Sequence, residues 1–172
     1  ALAAVREPGV RLLCIGYKQE KERARLFREA ERLGVADRVE IHPWSSGEVL
    51  DRLKARMDVG IAVLSDSFLN RIASPLKVLE YLSMAVPVIA TRLEGIEAVI
   101  HEGKEGFLVE NTPKAWEEAI RRIYSDFPAY QQMSRRCRTL AESLGWDRRG
   151  RTLVEALESG IFSGLKPREG SP

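Results

Sequence analysis

The sequence predicts an α/β protein: a doubly wound parallel sheet with extra helices at its C-terminal end. Three observations carry this. Short apolar runs alternate with charged, helix-patterned stretches from residue 10 to residue 109. Strands spaced in this way leave room for the crossover connections of roughly a dozen residues that parallel neighbours require. The run Pro87, Val88, Ile89 and Ala90 is continuously apolar, as in a strand buried on both faces.

Taken in order, VRLLCIG at 10–16 follows Pro8-Gly9 and precedes a charged stretch, which marks a central strand. Residues 19–33 form a charged helix whose apolar side is Ala24, Leu26, Phe27, Ala30 and Leu33, closed by Gly34. Residues 39–42 make a second strand ending at Pro43 and Trp44, and Ser45 or Ser46 caps a helix carrying Val49, Leu50, Leu53 and Met57. VGIAVL at 59–64 is the third strand, and SDSFLNRIA is a loop. Ser74 and Pro75 read as N-cap and first position of a helix running to Ala85. That helix is apolar apart from a polar stripe of Lys77, Glu80 and Tyr81 at i, i+3 and i+4. Val88 to Ala90 is the fourth strand; a short helix lies around 97–100, and Gly103 and Gly106 bracket a turn into Phe107, Leu108 and Val109. The remainder is helical to about Glu158, with breaks at Phe127-Pro128 and at Gly145.

Residues 1–160 are expected to form one domain and 161–172 a flexible tail. A formal charge of +2 with basic and acidic residues interleaved gives no nucleic-acid surface. Arg135, Arg136, Arg138, Arg148, Arg149 and Arg151 read as solvated helix faces, or else as contacts to an anionic membrane surface. Two cysteines set no disulfide framework and favour a reducing compartment. The expected location is therefore cytoplasmic, with peripheral contact at the inner face of the membrane as the minority reading. His42 and His101 are not spaced as a metal pair, so no metal and no cofactor are expected. Neither a Ser-His-Asp set, a phosphate loop of the GxxxxGK type nor a GxGxxG fingerprint occurs.

The order Ser-Pro-x-Lys-x-x-Glu-Tyr, then Pro-Val-Ile-Ala, then Gly-x-Glu-x-Val-x-x-x-Gly-x-x-Gly-Phe-Leu-Val fills residues 74–109. It resembles the C-terminal, donor-binding half of the retaining GT-B-fold glycosyltransferases of group 1, family 4, and the likeness extends loosely over residues 11–158. The resemblance implies a Rossmann-like half-domain that takes a nucleoside-diphosphate sugar as donor substrate and transfers the sugar to an acceptor. It implies that Glu80 grips the donor ribose and that the helix start meets the diphosphate. A partner N-terminal domain binds the acceptor in such enzymes. That domain and the usual first strand of the donor half are expected to be missing here, so the isolated chain is expected to be inactive.

The residues themselves agree with part of this. A helix starting at Ser74 and Pro75 points the N–H groups of Leu76 and Lys77 outward at its positive end, where a diphosphate is stabilised. Glu80, inside the same helix, can accept from two sugar hydroxyls, or can simply pair with Lys77. Trp44 can stack on a base or pack its own loop. Gly16 permits close backbone approach to a ligand, or makes a plain turn. Many members of the resembled family place an acid eight positions before the glutamate, on the transferred sugar; that position is Ile72, and Asn70, Arg71 or Ser74 is left to substitute. Glu97 caps or braces its short helix, in a loop that the resemblance puts near the sugar. Trp146, Leu153 and Leu157 either complete the local core or brace the missing domain. The competing reading is a non-catalytic nucleotide-sugar or protein-interaction module of the same fold.

Overall fold

The structure, a computed structural model, describes residues 1–5, 7, 9–72 and 76–159. The elements run β1 (Leu12–Tyr17), α1 (Glu20–Arg32), β2 (Val39–Pro43), α2 (Gly47–Lys54), β3 (Gly60–Ala62), α3 (Phe68–Ile72), α4 (Leu76–Ser83), β4 (Val88–Thr91), α5 (Glu94–Glu97), β5 (Gly106–Val109), α6 (Pro113–Ser125), α7 (Phe127–Ser143) and α8 (Trp146–Glu158). A 3₁₀ turn, Ala36–Arg38, leads into β2. All strand pairs are parallel, as expected.

Local chemistry sets the helix limits. The Glu22 carboxylate accepts from the backbone N–H groups of Lys18 (2.9 Å) and Gln19 (3.4 Å), tying down orphan donors ahead of α1. At its other end Gly34 has φ 66°, and Val35 N–H reaches back to the Ala30 carbonyl at 2.9 Å. Thr112 and Asp126 accept from Ala115 and Ala129 and so start α6 and α7. The break between these two helices, and the next before α8, fall where Phe127-Pro128 and Gly145 put them. α4 closes in the same manner as α1, with Val86 N–H on the Tyr81 carbonyl and Ala85 N–H on Leu82, but the left-handed position (φ 58°) is held by Ala85.

β4 is the centre of the main core. Its alternate side chains face opposite ways: Val88 and Ala90 join Val78, Leu82, Ile96, Ile100 and Cys137 on one side, and Ile89 joins Phe107, Trp116, Ala119, Ile123 and Met133 on the other. Helices thus cover both faces of the β3-β4-β5 ladder, the doubly wound arrangement. Gly106 allows β5 to lie this close, since a Cβ there would collide with the Val88 carbonyl.

Several expectations are corrected. The sheet is divided into two ladders, β1-β2 and β3-β4-β5, with no described strand between β1 and β3. On α1, Leu26, Phe27 and Leu33 are exposed and only Ala30 is buried, because two strands offer too little surface to cover the whole apolar side. Ser46 takes the position before α2 without a side-chain bond, while the Ser45 hydroxyl donates to the Pro43 carbonyl, so neither serine caps through its oxygen. α2 stops at Lys54, short of Met57. β3 is shorter than 59–64 because Leu64 N–H leaves the ladder for the Thr91 hydroxyl (3.1 Å). The loop after it contains α3, started by Ser67, whose hydroxyl accepts from Asn70 N–H and whose carbonyl accepts from Arg71 N–H. The helix expected around 97–100 is α5, three residues earlier. Trp146, Leu153 and Leu157 are all more than half exposed, so α8 does not complete the local core. The expected tail at 161–172 lies outside the described residues, as do Ser74 and Pro75.

Candidate functional site

The candidate site is built at the start of α4 and on the loops that follow β3 and β4. In open parallel α/β sheets ligands bind beyond the carboxyl ends of the strands. Here those ends carry α3, the first turn of α4, and α5. Thr91, itself buried, joins the ends of β3 and β4 through its hydroxyl. Arg92 then fixes the next loop: its guanidinium donates to Glu97 (2.9 Å), to Glu102 (3.3 Å) and to the Leu108 carbonyl (3.0 Å). Glu97 therefore braces this loop, as one of its two sequence readings held.

Leu76 and Lys77 form the exposed beginning of α4. Glu80 lies one turn further on. It does not pair with Lys77; its carboxylate accepts from Lys54 Nζ of α2 at 2.9 Å. The Glu80 side chain is 54% exposed, while Lys54 is 21% exposed. The fixed member of the pair is thus the ammonium, and the carboxylate keeps acceptor capacity open to solvent. Tyr81 leaves the predicted polar stripe altogether, since its ring packs against Gly60 and the core and burial raises its phenol pKa.

α3 uses its polar groups internally. Asn70 Nδ2 donates to the Ser65 carbonyl (2.8 Å) and hydroxyl, and Arg71 makes a forked pair with Asp66 at 2.6 and 2.8 Å. Arg71 holds the Asp66 carboxyl below its usual range. Ile72 is exposed, as are Phe68 and Leu69, so this helix carries an exposed apolar surface.

Trp44 follows β2, 63% exposed, with its backbone N–H on the Tyr17 carbonyl. Gly16, at φ 118°, makes a bulge between Ile15 and Tyr17, and the space where a side chain would stand is open. No described contact brings Trp44 or Gly16 to Glu80. His42 sits near Glu40 (3.5 Å), whose carboxyl is held low first by Arg56 and then by His42. Among the described residues no cluster of three metal-ligating side chains occurs, and no helix is long and apolar enough to cross a membrane. Lys54 is the site residue that sequence reasoning missed. It stands 26 residues from Glu80 in another helix, and no local spacing announces the contact.

Fold and site together define a class: a parallel α/β domain whose candidate site sits on a helix start and on strand-end loops. Within that class, residues 1–126 match the family model "Glycosyl transferases group 1", and the chain belongs to that family. It is 30% identical over 141 residues to the D-inositol 3-phosphate glycosyltransferase of Corynebacterium urealyticum, a match covering 80% of this chain and 32% of that protein. Its fold is similar to Anabaena HepE in complex with UDP-glucose, with a TM-score of 0.73, 19% identity, and coverage of 92% and 43% of the two chains. It is also similar to the C-terminal domain of a group 1 glycosyl transferase, LpcC, from Francisella tularensis, with a TM-score of 0.66, 16% identity, and coverage of 82% and 74%. The chain spans 22% and 32% of the length of two of the curated relatives it matches.

Proposed function

We propose that residues 1–160 are the donor-nucleotide-binding domain of a retaining glycosyltransferase. A nucleoside-diphosphate sugar places its diphosphate against the N–H groups of Leu76 and Lys77 and its ribose hydroxyls on Glu80. The observation that carries this reading is the half-exposed Glu80 carboxylate on the first turns of α4, steadied by Lys54. Family membership supports it, as does the UDP-glucose bound by the HepE structure. Lys54 orients the carboxylate and lessens its repulsion of the phosphates. In a retaining transfer of this kind the protein stabilises the departing nucleoside diphosphate, and the helix start supplies that stabilisation from this half. Peripheral contact of a fuller enzyme with an anionic membrane surface belongs to the same proposal.

The acceptor and the far wall of the cleft come from a further domain, so the 172 residues alone bind nucleotide weakly and transfer no sugar. Robust turnover by the isolated chain would refute this. The competing module without catalysis is favoured by one observation: Ile72 offers no polar atom to a sugar, and Asn70 and Arg71 are engaged with Ser65 and Asp66. Calorimetric titration with UDP-, GDP- and ADP-sugars decides the nucleotide part. Binding of one of them that falls at least about tenfold in Glu80→Ala supports the site, the loss expected for a charged hydrogen-bond partner. Equal affinity in both removes Glu80 from it.

A further inference from the structure

The ion pair of Lys54 with Glu80 differs from the others in this chain. Among the described residues Lys54 is the least exposed cation of any ion pair, and it reaches from α2 to a carboxylate 26 residues away on α4. A pair whose carboxylate is half exposed contributes little to stability, because water screens it. Its ammonium is nonetheless held under cover at the carboxylate assigned above to the ribose. Lys77, one turn before Glu80 on the same helix, is exposed and stays out of the contact.

Both members keep bonding capacity. The bond runs from Lys54 Nζ to Glu80 Oε2 at 2.9 Å; among the described residues Oε1 accepts no hydrogen bond and Nζ donates no second one. An ammonium carries further N–H donors, and a carboxylate further lone pairs. A sugar hydroxyl both donates and accepts. A carboxylate alone takes the hydroxyl proton but leaves the lone pairs of that oxygen unmatched, which is costly once water is displaced. An ammonium beside the carboxylate supplies the missing donor. The geometry points to Lys54 as a specificity-determining residue: it donates to a hydroxyl of the ribose diol whose proton goes to Glu80. The site therefore selects ribonucleoside diphosphates against those lacking that hydroxyl, since a hydrogen in its place satisfies neither Lys54 nor Glu80. This rests on the reading that Glu80 holds the donor ribose.

The test titrates the 172-residue chain calorimetrically with UDP, GDP and ADP, and with the 2′-deoxy and 3′-deoxy form of each. The parent should prefer the ribonucleotide to one of its deoxy forms at least about tenfold. Lys54→Met should cut that preference at least about fivefold, and Lys54→Arg, which keeps N–H donors, should retain more of it. The preference is the readout because loss of a cation weakens the diphosphate of both nucleotides alike and cancels from their ratio. Lys54→Met made in Glu80→Gln separates contact from positioning. A further fall in the preference supports direct donation, whereas an unchanged preference would mean that Lys54 acts only through the carboxylate and overturns the proposal. Equal affinity of the parent for the ribonucleotide and both deoxy forms overturns it without any variant. Binding that falls in Glu80→Ala, with the same preference in the parent and Lys54→Met, removes Lys54 and leaves the donor site standing. No binding of any of these nucleotides by the parent overturns the donor reading and this one with it.

Discussion

The first and second parts of the chain use the same alternation of strand and helix but bury it to different depths. Among the described residues of 1–58 the buried hydrophobic side chains are Val5, Ala30 and Val35, and every residue of β1 is only partly covered. In β4 all four residues are buried, with Val78, Leu82 and Ile96 at 0% exposure around it. The difference lies less in how apolar the strands are than in what flanks them. β4 has a strand on each side and helices on both faces, whereas among the described residues β1 has one strand partner, and Ala30 is the one buried residue of α1. An apolar run reports that a segment can be buried; its neighbours decide whether it is.

The sharpest way to break this contrast is to truncate one leucine in each part. Leu82→Ala should destabilise the chain by about 3 kcal/mol, while Leu26→Ala, at a position 44% exposed, should cost under about 1 kcal/mol in urea unfolding. Comparable losses would mean that the two parts share one core. A second test uses pH. Burial pushes the Cys137 thiol up to about 12 from an ordinary 9.0. The folded state therefore disfavours the thiolate: its stability is unaffected below pH 9 and declines as the pH rises from about 9 toward 12. Cys137→Ala should flatten that alkaline slope, although it lowers stability at neutral pH, and an unchanged slope would place its origin elsewhere. The smallest effect is expected at Ala85, whose left-handed φ of 58° suits glycine better. Ala85→Gly should stabilise the end of α4 by about 0.5 kcal/mol, the strain relieved slightly exceeding the added freedom of the unfolded chain. A fall in Tm would show that Ala85 is not strained.

Much of the second part was legible in the sequence because its signals are local. Phe127-Pro128 and Gly145 divide helices where they stand, and the run from Pro87 to Ala90 needs no distant information to read as a buried strand. Glu80 was identifiable as a candidate from the ordered motif around it, yet its partner was not, since Lys54 arrives from a separate helix. The helix was read as apolar except for one stripe of Lys77, Glu80 and Tyr81. In fact Tyr81 turns inward and Leu76 outward. α3 was missed because Ser67 starts a helix only through bonds to Asn70 and Arg71, a pattern that SDSFLNRIA shares with ordinary loops. The division of the sheet was illegible for another reason: strand propensity says nothing about whether a neighbour is present to receive the edge.

The bond from Lys54 to Glu80 has one more consequence. It ties α2, in the loosely packed part, to α4, in the well-packed part, by charge across a partly wet gap. Ionic strength is then a handle on this tether, because added salt shortens the reach of such an attraction to about 3 Å at 1 M. Dilute buffer should hold the carboxylate in a narrow range of orientations, and brine should let it swing.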